Sequence, residues 1–251
     1  MNRLDVPIAG LPAAFTGLRI VQLSDFHCGR RVTSAYLGEA VELAQKQHGD
    51  VIVLTGDFIH HGFKYIEPVA EILGQLSAPF GVHAVLGNHD FSVRNALGFR
   101  RHQHLHHAVA AALTARGIRV LRNETIHLER NGSGIYLAGV DDLWSRGCDL
   151  PRALNGLNPA VPRIVLAHNP GTIERLGMER CDLMFSGHTH GGQINWPGLG
   201  RPVLSKRARR FAAGLYRYNQ SYLYVNKGIG FGFRFRFGVR PEVAIATLRP
   251  A

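Results

Sequence analysis

The sequence predicts an α/β protein whose strands form two sheets, and two observations indicate this class. The first 90 residues alternate short apolar runs with segments of helical periodicity, the pattern of β-α-β units in a mostly parallel sheet. Further along, short strands flank an Asn131-Gly132 turn and mark the start of a second sheet. No linker and no internal repeat divides the chain, so we expect one domain over residues 1–251.

Three buried strands are predicted in the first unit, each rich in Val, Ile and Leu and each ending in a polar cluster. They cover residues 18–23, 51–54 and 82–86. Helices are predicted between them over residues 34–47 and 65–76, because apolar residues recur there at helical spacing. Ser34 is the expected cap of the first helix.

The rest of the chain is predicted to consist of one helix followed by short strands. The helical pattern covers residues 100–116, and Asn131-Gly132 is typical of a two-residue hairpin turn. Residues 231–237 alternate aromatic residues with Gly or Arg and predict a half-buried strand. The other strands are predicted at residues 118–121, 125–128, 135–140, 163–167, 183–185, 222–225 and 243–248.

Polar clusters follow five of the predicted strands, where the carboxyl ends of parallel strands form a ligand-binding edge. Their carboxylates, amides and imidazoles are ligands for Mn, Fe, Co, Ni or Zn, and no thiolate is needed. Strand alternation predicts that Asp25 and His27 point the same way, as do His188 and His190. One ion would hardly use so many ligands, so we expect two divalent ions about 3.5–4 Å apart. The candidate residues are Asp25, His27, Asp57, Asn88, His89, His168, His188 and His190.

These clusters resemble the five sequence blocks of the calcineurin-like metallophosphoesterase superfamily. The resemblance implies a four-layer α-β-β-α sandwich of two mixed sheets flanked by helices. Three phrases further resemble a bacterial branch that contains membrane-associated phosphodiesterases: Leu-Ser-Asp-Phe-His at residues 23–27, Gly-His-Thr-His-Gly-Gly-Gln at residues 187–193, and Arg240-Pro241-Glu242. The five blocks, in chain order, are Asp25-Phe26-His27, Gly56-Asp57, Gly87-Asn88-His89-Asp90, His168, and Gly187-His188-Thr189-His190.

The resemblance also implies a role for each candidate residue. Asp25, His27 and His190 would hold one metal ion, and Asn88, His168 and His188 would hold the other. Asp57 would bridge the two ions, and a water or hydroxide between them would attack phosphorus without a covalent enzyme intermediate. His89 would stabilise the transition state or protonate the leaving oxygen.

The composition excludes several other classes of protein. Hydrophobic residues make up 45% and charged residues 19%, which is enough apolar surface for a core and argues against disorder. Three widely spaced cysteines indicate neither a disulfide scaffold nor a thiolate zinc site, and favour a reducing compartment. No signal segment and no run near the ~18 apolar residues of a membrane span is evident, so we expect a cytoplasmic protein.

Positive charge is concentrated in one stretch of the chain. The formal net charge is +11, and residues 201–240, here called the basic segment, contain ten Lys or Arg and no acid. This predicts an anionic partner. Two roles of the basic segment stay open. One is peripheral contact with anionic lipid at the inner membrane, together with Trp196, Leu199 and the aromatics of residues 231–237. The other is binding of a phosphorylated substrate beside the metal site. Nucleic acid is a weaker alternative, because no recognised binding motif accompanies these cations.

Together these observations favour a metal-dependent hydrolase of a phosphodiester or a pyrophosphate. Two alternatives stay open. One is a hydrolase of the lipid A precursor UDP-2,3-diacylglucosamine, an activity found in the same bacterial branch. The other is a non-catalytic protein that binds anionic membranes and keeps a structural metal site.

Overall fold

The computed structural model describes residues 1–232 and 235–251, apart from the side chain of Arg207. The described residues form two sheets of six strands each. In chain order the strands are β1 (Asn2–Ile8), β2 (Arg19–Leu23), β3 (Val51–Thr55), β4 (Val82–Val85), β5 (Arg119–Val120), β6 (Glu124–Arg130), β7 (Ser133–Gly139), β8 (Arg163–Leu166), β9 (Leu183–Ser186), β10 (Gly214–Tyr218), β11 (Ser221–Val225) and β12 (Ala244–Pro250).

The helices are few and mostly short. Among the described residues, none of them is long and apolar enough to cross a bilayer. The α-helices are α1 (Ser34–Gln45), α2 (Ile66–Leu73), α3 (Leu105–Ala115), α4 (Leu150–Leu154) and α5 (Lys206–Arg209). Short 3-10 helices cover Ala13–Phe15, Pro170–Arg175 and His190–Gly192.

Both sheets are mixed, with a parallel centre. The first has the order β1-β12-β2-β3-β4-β5, in which β2 to β5 are parallel and β12 runs antiparallel to β2. The second has the order β10-β11-β9-β8-β7-β6, in which β11, β9, β8 and β7 are parallel and the two outer strands are antiparallel to their neighbours. The loops that follow the parallel strands therefore gather at one edge of each sheet.

The core lies in three layers, which follow from the alternation of side chains along the strands. On β3, Val51 and Val53 pack in a cluster with β6, β7, β8 and β9 of the other sheet. Ile52 and Leu54 face the opposite way and pack with α1, α2 and α3. A third cluster joins the outer face of the second sheet to α4. The layers therefore run from helices to sheet to sheet to helix, which confirms the predicted α-β-β-α sandwich. Each fully buried aliphatic side chain in them contributes about 1.5–3 kcal/mol to stability.

The sequence analysis did not predict the strands β1 and β10 or the short helices α4 and α5, and it assigned the cap of the first helix to the wrong residue. β1 is an edge strand, where Pro7 is tolerated and where Asp5 can face solvent while Val6 and Ile8 are buried. β10 is likewise an edge strand. The cap of α1 is Thr33 rather than Ser34, because the Thr33 hydroxyl accepts the Tyr36 N–H.

The predicted strand over residues 231–237 is wrong within the described part of the chain. Phe233 and Arg234 lie outside the described residues. Phe231 and residues 235–237 belong to no strand, and a single bridge joins Phe237 to Ile194. The alternation fails as evidence here because Phe235 and Phe237 are both exposed instead of facing a core.

One buried carboxylate joins the loops that follow β3 and β4. Asp90 accepts the N–H groups of Asp57 at 2.9 Å and Gly87 at 2.8 Å through Oδ2. Its Oδ1 accepts those of Phe58 at 2.9 Å and Ile59 at 3.3 Å. Burial and the negative charge of Asp57 together raise the pKa of Asp90 to about 8, although the backbone N–H donors lower it. The four bonds fix the backbone that carries Asp57 relative to the loop after β4.

Asp90→Asn tests this clamp. The amide keeps one acceptor oxygen but turns an NH2 group towards two backbone donors, so those donors lose their bonds inside the protein. We expect the free energy of unfolding to fall by about 2–4 kcal/mol, measured by urea denaturation above pH 8, where Asp90 is ionised.

Asp5→Asn is the matched control. Asp5 is exposed and pairs with Arg249 at 2.7 Å, so its replacement should cost less than about 1 kcal/mol. Equal losses in the two variants would contradict the role of Asp90.

Candidate metal centre

The predicted site residues lie in loops after the parallel strands, not on the strands themselves. Five of them have a left-handed backbone: Asp25 (φ 54°), His27 (φ 46°), Asp57 (φ 55°), His188 (φ 71°) and His190 (φ 52°). The prediction that strand alternation aligns Asp25 with His27, and His188 with His190, is therefore wrong. The pairs converge because each loop turns sharply, a conformation that costs non-glycine residues energy and is kept where the surroundings enforce it.

Two glycines allow these loops to approach one another. A Cβ at Gly87 would overlap the carboxylate of Asp57. A Cβ at Gly187 would overlap the side chains of Ser24 and Asp25. Glycine is thus needed in two of the sequence blocks because the loops from different strands meet without space for a side chain.

One half of the centre consists of Asp25, His27 and His190. One ligand atom from each lies within 4.8 Å of the others, so the three could hold a metal ion. The Nε2 atoms of His27 and His190 are 2.9 Å apart, and Nε2 of His190 is 3.4 Å from Oδ1 of Asp25. All three residues are buried.

Asp57 lies between this half and the other. Its Oδ2 is 3.4 Å from Nε2 of His27 and 3.3 Å from Nε2 of His168. Asp25, Asp57 and His168 also form a group that could hold a metal ion. One carboxylate oxygen therefore faces imidazoles from both halves of the centre.

The other half consists of Asn88, His168 and His188. Nδ1 of His188 is 2.9 Å from Oδ1 of Asn88 and 3.2 Å from Nε2 of His168. The structure thus brings together all seven of the residues predicted as metal ligands.

Hydrogen bonds to carbonyl groups orient several of these side chains. The Nδ1–H of His168 donates to the Thr55 carbonyl at 2.7 Å, which leaves Nε2 facing the centre. The amide nitrogen of Asn88 donates to the Val93 carbonyl at 2.6 Å, which leaves Oδ1 facing His188. Oδ1 of Asn88 thus offers a lone pair to a cation, and Nε2 of His168 offers one once its proton is displaced.

The buried carboxylates make the centre attractive to positive charge. Burial by itself raises the pKa of Asp57, but the neighbouring imidazoles, His168 above all, hold it well below its usual value. Burial lowers the pKa of His168, yet the charge of Asp57 outweighs it and raises this pKa to about 10. Burial, which is the largest cause, raises the pKa of Asp25 to about 6. A charged Asp57 therefore requires a cation beside it.

The other three imidazoles predicted as ligands, those of His27, His188 and His190, remain neutral. Burial lowers the pKa of His27 and of His190 well below the usual value, and lowers that of His188 to about 3. Neighbouring positive charge lowers these pKa values further, from His89 for His27 and from Arg236 for His190. Neutral imidazole is the form that binds metal ions.

His89 lies beside the ligand groups, with its ring 4.6 Å from that of His27. Its backbone N–H donates to Oδ1 of Asp57 at 2.9 Å, and its Nδ1–H donates to the His60 carbonyl at 2.8 Å. Nε2 is left without a hydrogen bond among the described residues. The predicted catalytic imidazole is thus held in one orientation with one nitrogen available.

Three residues at the centre were not predicted to belong to it. His60 forms a further group with His27 and His89, with ligand atoms within 4.8 Å of each other. The ring of Trp144 meets that of His188 edge-on at 4.4 Å, and the Arg236 guanidinium lies 3.3 Å from Nδ1 of His190. His60 could have been found from its position just after Gly56-Asp57, whereas Trp144 and Arg236 belong to no motif near a strand end.

Comparison with known proteins identifies relatives over almost the whole chain. Residues 18–192 match the family model described as calcineurin-like phosphoesterase. Phosphodiesterase YaeI of Escherichia coli is 32% identical over 231 residues, covering 92% of this chain and 82% of the relative. UDP-2,3-diacylglucosamine pyrophosphatase LpxG of Chlamydia trachomatis is 30% identical over 281 aligned positions, covering 94% of this chain and 85% of the relative.

A solved structure has the same fold. Phosphopantetheinyl hydrolase of Mycobacterium tuberculosis superimposes with a TM-score of 0.51 at 11% identity, over 84% of this chain and 89% of that one. At this identity the likeness concerns the fold alone. Since the family model spans well over half of the chain and the relatives align along nearly all of it, this protein belongs to the calcineurin-like phosphoesterase family and is a phosphoester hydrolase.

Proposed function

We propose that this protein hydrolyses a phosphodiester or a pyrophosphate at a centre of two divalent metal ions. Asp25, His27 and His190 would hold one ion, and Asn88, His168 and His188 would hold the other. Asp57 would serve both. The observation that carries the proposal is the position of Oδ2 of Asp57, within 3.4 Å of an imidazole nitrogen from each half of the centre.

The chemistry of the donor atoms fits such ions. The Nε2 atoms of His27 and His190 face each other at 2.9 Å, and burial keeps both rings neutral, so the two nitrogens could bind the same ion. The set consists of imidazole nitrogens with carboxylate and amide oxygens, which suits Mn, Fe or Zn. The names of the relatives, a phosphodiesterase and a pyrophosphatase, support a substrate with a substituted phosphate.

Hydrolysis requires a nucleophile at phosphorus and a proton for the leaving oxygen. When bound, two divalent ions would lower the pKa of water and neutralise the phosphoryl oxygens. Water adds its oxygen to phosphorus and releases a proton to solvent, while the bond from phosphorus to the leaving oxygen breaks. His89 is held through Nδ1, so its Nε2 is the atom placed to deliver the proton. The Asp57 carboxylate accepts the backbone N–H of His89, which keeps the His89 side chain beside the centre.

Asp57→Asn tests the bridging carboxylate. Removing its charge should reduce bound metal, measured by elemental analysis after dialysis. Turnover of bis(4-nitrophenyl) phosphate should fall at least about a hundredfold, since the ligand between the two ions is lost. Retention of both metal and activity would contradict the proposed centre.

His89→Ala tests the proton donor separately from the metal ligands. Turnover should fall by about 100-fold to 10,000-fold while the metal content stays that of the wild type. His127→Ala is the control, because His127 is exposed on the β6 strand, where its Nδ1 lies 2.8 Å from Glu129. An unchanged rate in the His89 variant would refute its catalytic role.

We further propose that the protein contacts an anionic membrane from the cytoplasmic side of the inner membrane. The support is an exposed apolar patch formed by Trp196, Leu199, Phe235 and Phe237. Trp196 is 47% exposed, Leu199 72% and Phe235 54%. The rings of Trp196 and Phe237 stack at 4.7 Å, and Asn195 N–H donates to the Phe237 carbonyl at 2.8 Å. Aromatic and aliphatic side chains exposed together beside cations are typical of membrane-surface contacts.

Only part of the basic segment is available for such contact. Arg210 pairs with Glu174 at 2.7 Å, and Lys227 pairs with Glu242 at 3.4 Å. Arg236 is turned inward to His190. Arg201 follows the patch directly in the chain, and Lys206 is exposed nearby in sequence. The charge that could face lipid is therefore smaller than the sequence suggests.

Vesicle co-sedimentation tests the patch. We expect binding to vesicles that contain phosphatidylglycerol and weak binding to phosphatidylcholine alone. Trp196→Ala with Leu199→Ala should lower the partition coefficient about tenfold, because two large apolar side chains no longer leave water. Met178→Ala is the control, since Met178 is fully exposed outside the patch.

Equal binding of the patch variant and the control would contradict the membrane proposal. Strong vesicle binding without turnover of any phosphoester, tested with Mn, Zn and Mg, would instead favour a non-catalytic membrane-binding protein.

A further inference from the structure

A cavity of about 470 Å³ opens beside the metal centre. His27, one of the proposed ligands, is part of its lining. The rest of the lining comes from the turn at residues 29–32, from His60 and His61, and from Phe231 and Gly232. A substrate whose phosphorus lies at the metal centre can therefore extend into this cavity past His27.

The turn at residues 29–32 is held in place at both ends. Before it, the carbonyl of the buried Cys28 accepts the N–H of His60 at 3.0 Å. Within the turn, the N–H of Gly29 donates to the carbonyl of Val32 at 2.9 Å, and the Val32 side chain is buried. Arg30 and Arg31 are the two exposed residues between these anchors. Their side chains thus project from a fixed backbone into the cavity wall.

The cavity carries positive charge without a balancing acid. No carboxylate is among the described residues that line it. In the part of the chain that the structure describes, neither Arg30 nor Arg31 lies within ion-pair distance of an acid. Arg94 adds a further cation beside the cavity, because its guanidinium donates to the His60 carbonyl at 3.3 Å. Unpaired guanidinium groups in a cleft attract anions.

We propose that Arg30 and Arg31 form a subsite for a second phosphate group of the substrate, which makes the centre selective for disubstituted pyrophosphates over simple phosphodiesters. This inference rests on the proposed function. Guanidinium groups match the oxygens of phosphate with paired N–H donors. A monoanionic phosphodiester would fill the metal centre and leave both arginines without an anion, whereas a disubstituted pyrophosphate supplies one.

Competitive inhibition tests the subsite with the intact enzyme. The reporter reaction is turnover of bis(4-nitrophenyl) phosphate. The two inhibitors share a uridine but differ in charge: UDP-N-acetylglucosamine carries two phosphates, and the methyl ester of uridine 5′-phosphate carries one. Wild-type enzyme should bind the first at least about tenfold more tightly. Arg30→Ala with Arg31→Ala should remove most of this preference, and Arg30→Lys with Arg31→Lys should retain part of it.

Arg152→Ala is the matched control, because Arg152 is exposed on α4, behind the second sheet. It should keep the wild-type preference. A preference that survives in the double alanine variant, or an equal affinity of wild-type enzyme for the two inhibitors, would overturn the subsite while the reporter reaction continues. Absence of the reporter reaction in wild-type enzyme would instead refute the proposed function, and the subsite with it.

Discussion

The buried negative charge of Asp57 is the feature on which the rest of the centre depends. A carboxylate withdrawn from water is costly unless cations or hydrogen-bond donors surround it. His168 supplies positive charge at 3.3 Å, and the backbone N–H of His89 supplies a donor at 2.9 Å. Asp90 holds the Asp57 backbone from behind. These contacts keep the charge in one position, where a divalent ion could replace the proton of the imidazole.

Holding Asp57 also requires the two sheets to meet at a fixed distance. The side-chain nitrogen of Gln22 donates to the Thr55 hydroxyl and to the Ser186 carbonyl, each at 2.9 Å, and so joins β2 and β3 to β9 of the other sheet. The Thr55 carbonyl accepts the Nδ1–H of His168. Ligands from the two sheets therefore share hydrogen-bonded supports, and a shift of one sheet would separate Asp57 from His168.

The sequence predicts what depends on local pattern and misses what depends on distant contacts. The buried parallel strands and the set of seven candidate ligands could be predicted, because apolar runs and polar strand ends are local features. The left-handed backbone of Asp25 and His27 could not, since it is imposed by loops from other strands. Alternation over residues 231–237 likewise indicated a strand, but a strand needs a partner with free backbone groups, and Phe237 has only a single bridge.

Arg236 shows why a count of charges along the chain does not describe a surface. It belongs to the basic segment, yet its guanidinium donates to the carbonyls of Lys227, Gly228 and Gly230. The loop it holds packs on Asp25, because Gly230 N–H donates to the Asp25 carbonyl at 2.7 Å. The same charge, together with burial, keeps His190 neutral. Arg236 thus both shapes the loop over one ligand and sets the protonation of another, so its charge belongs to the metal centre.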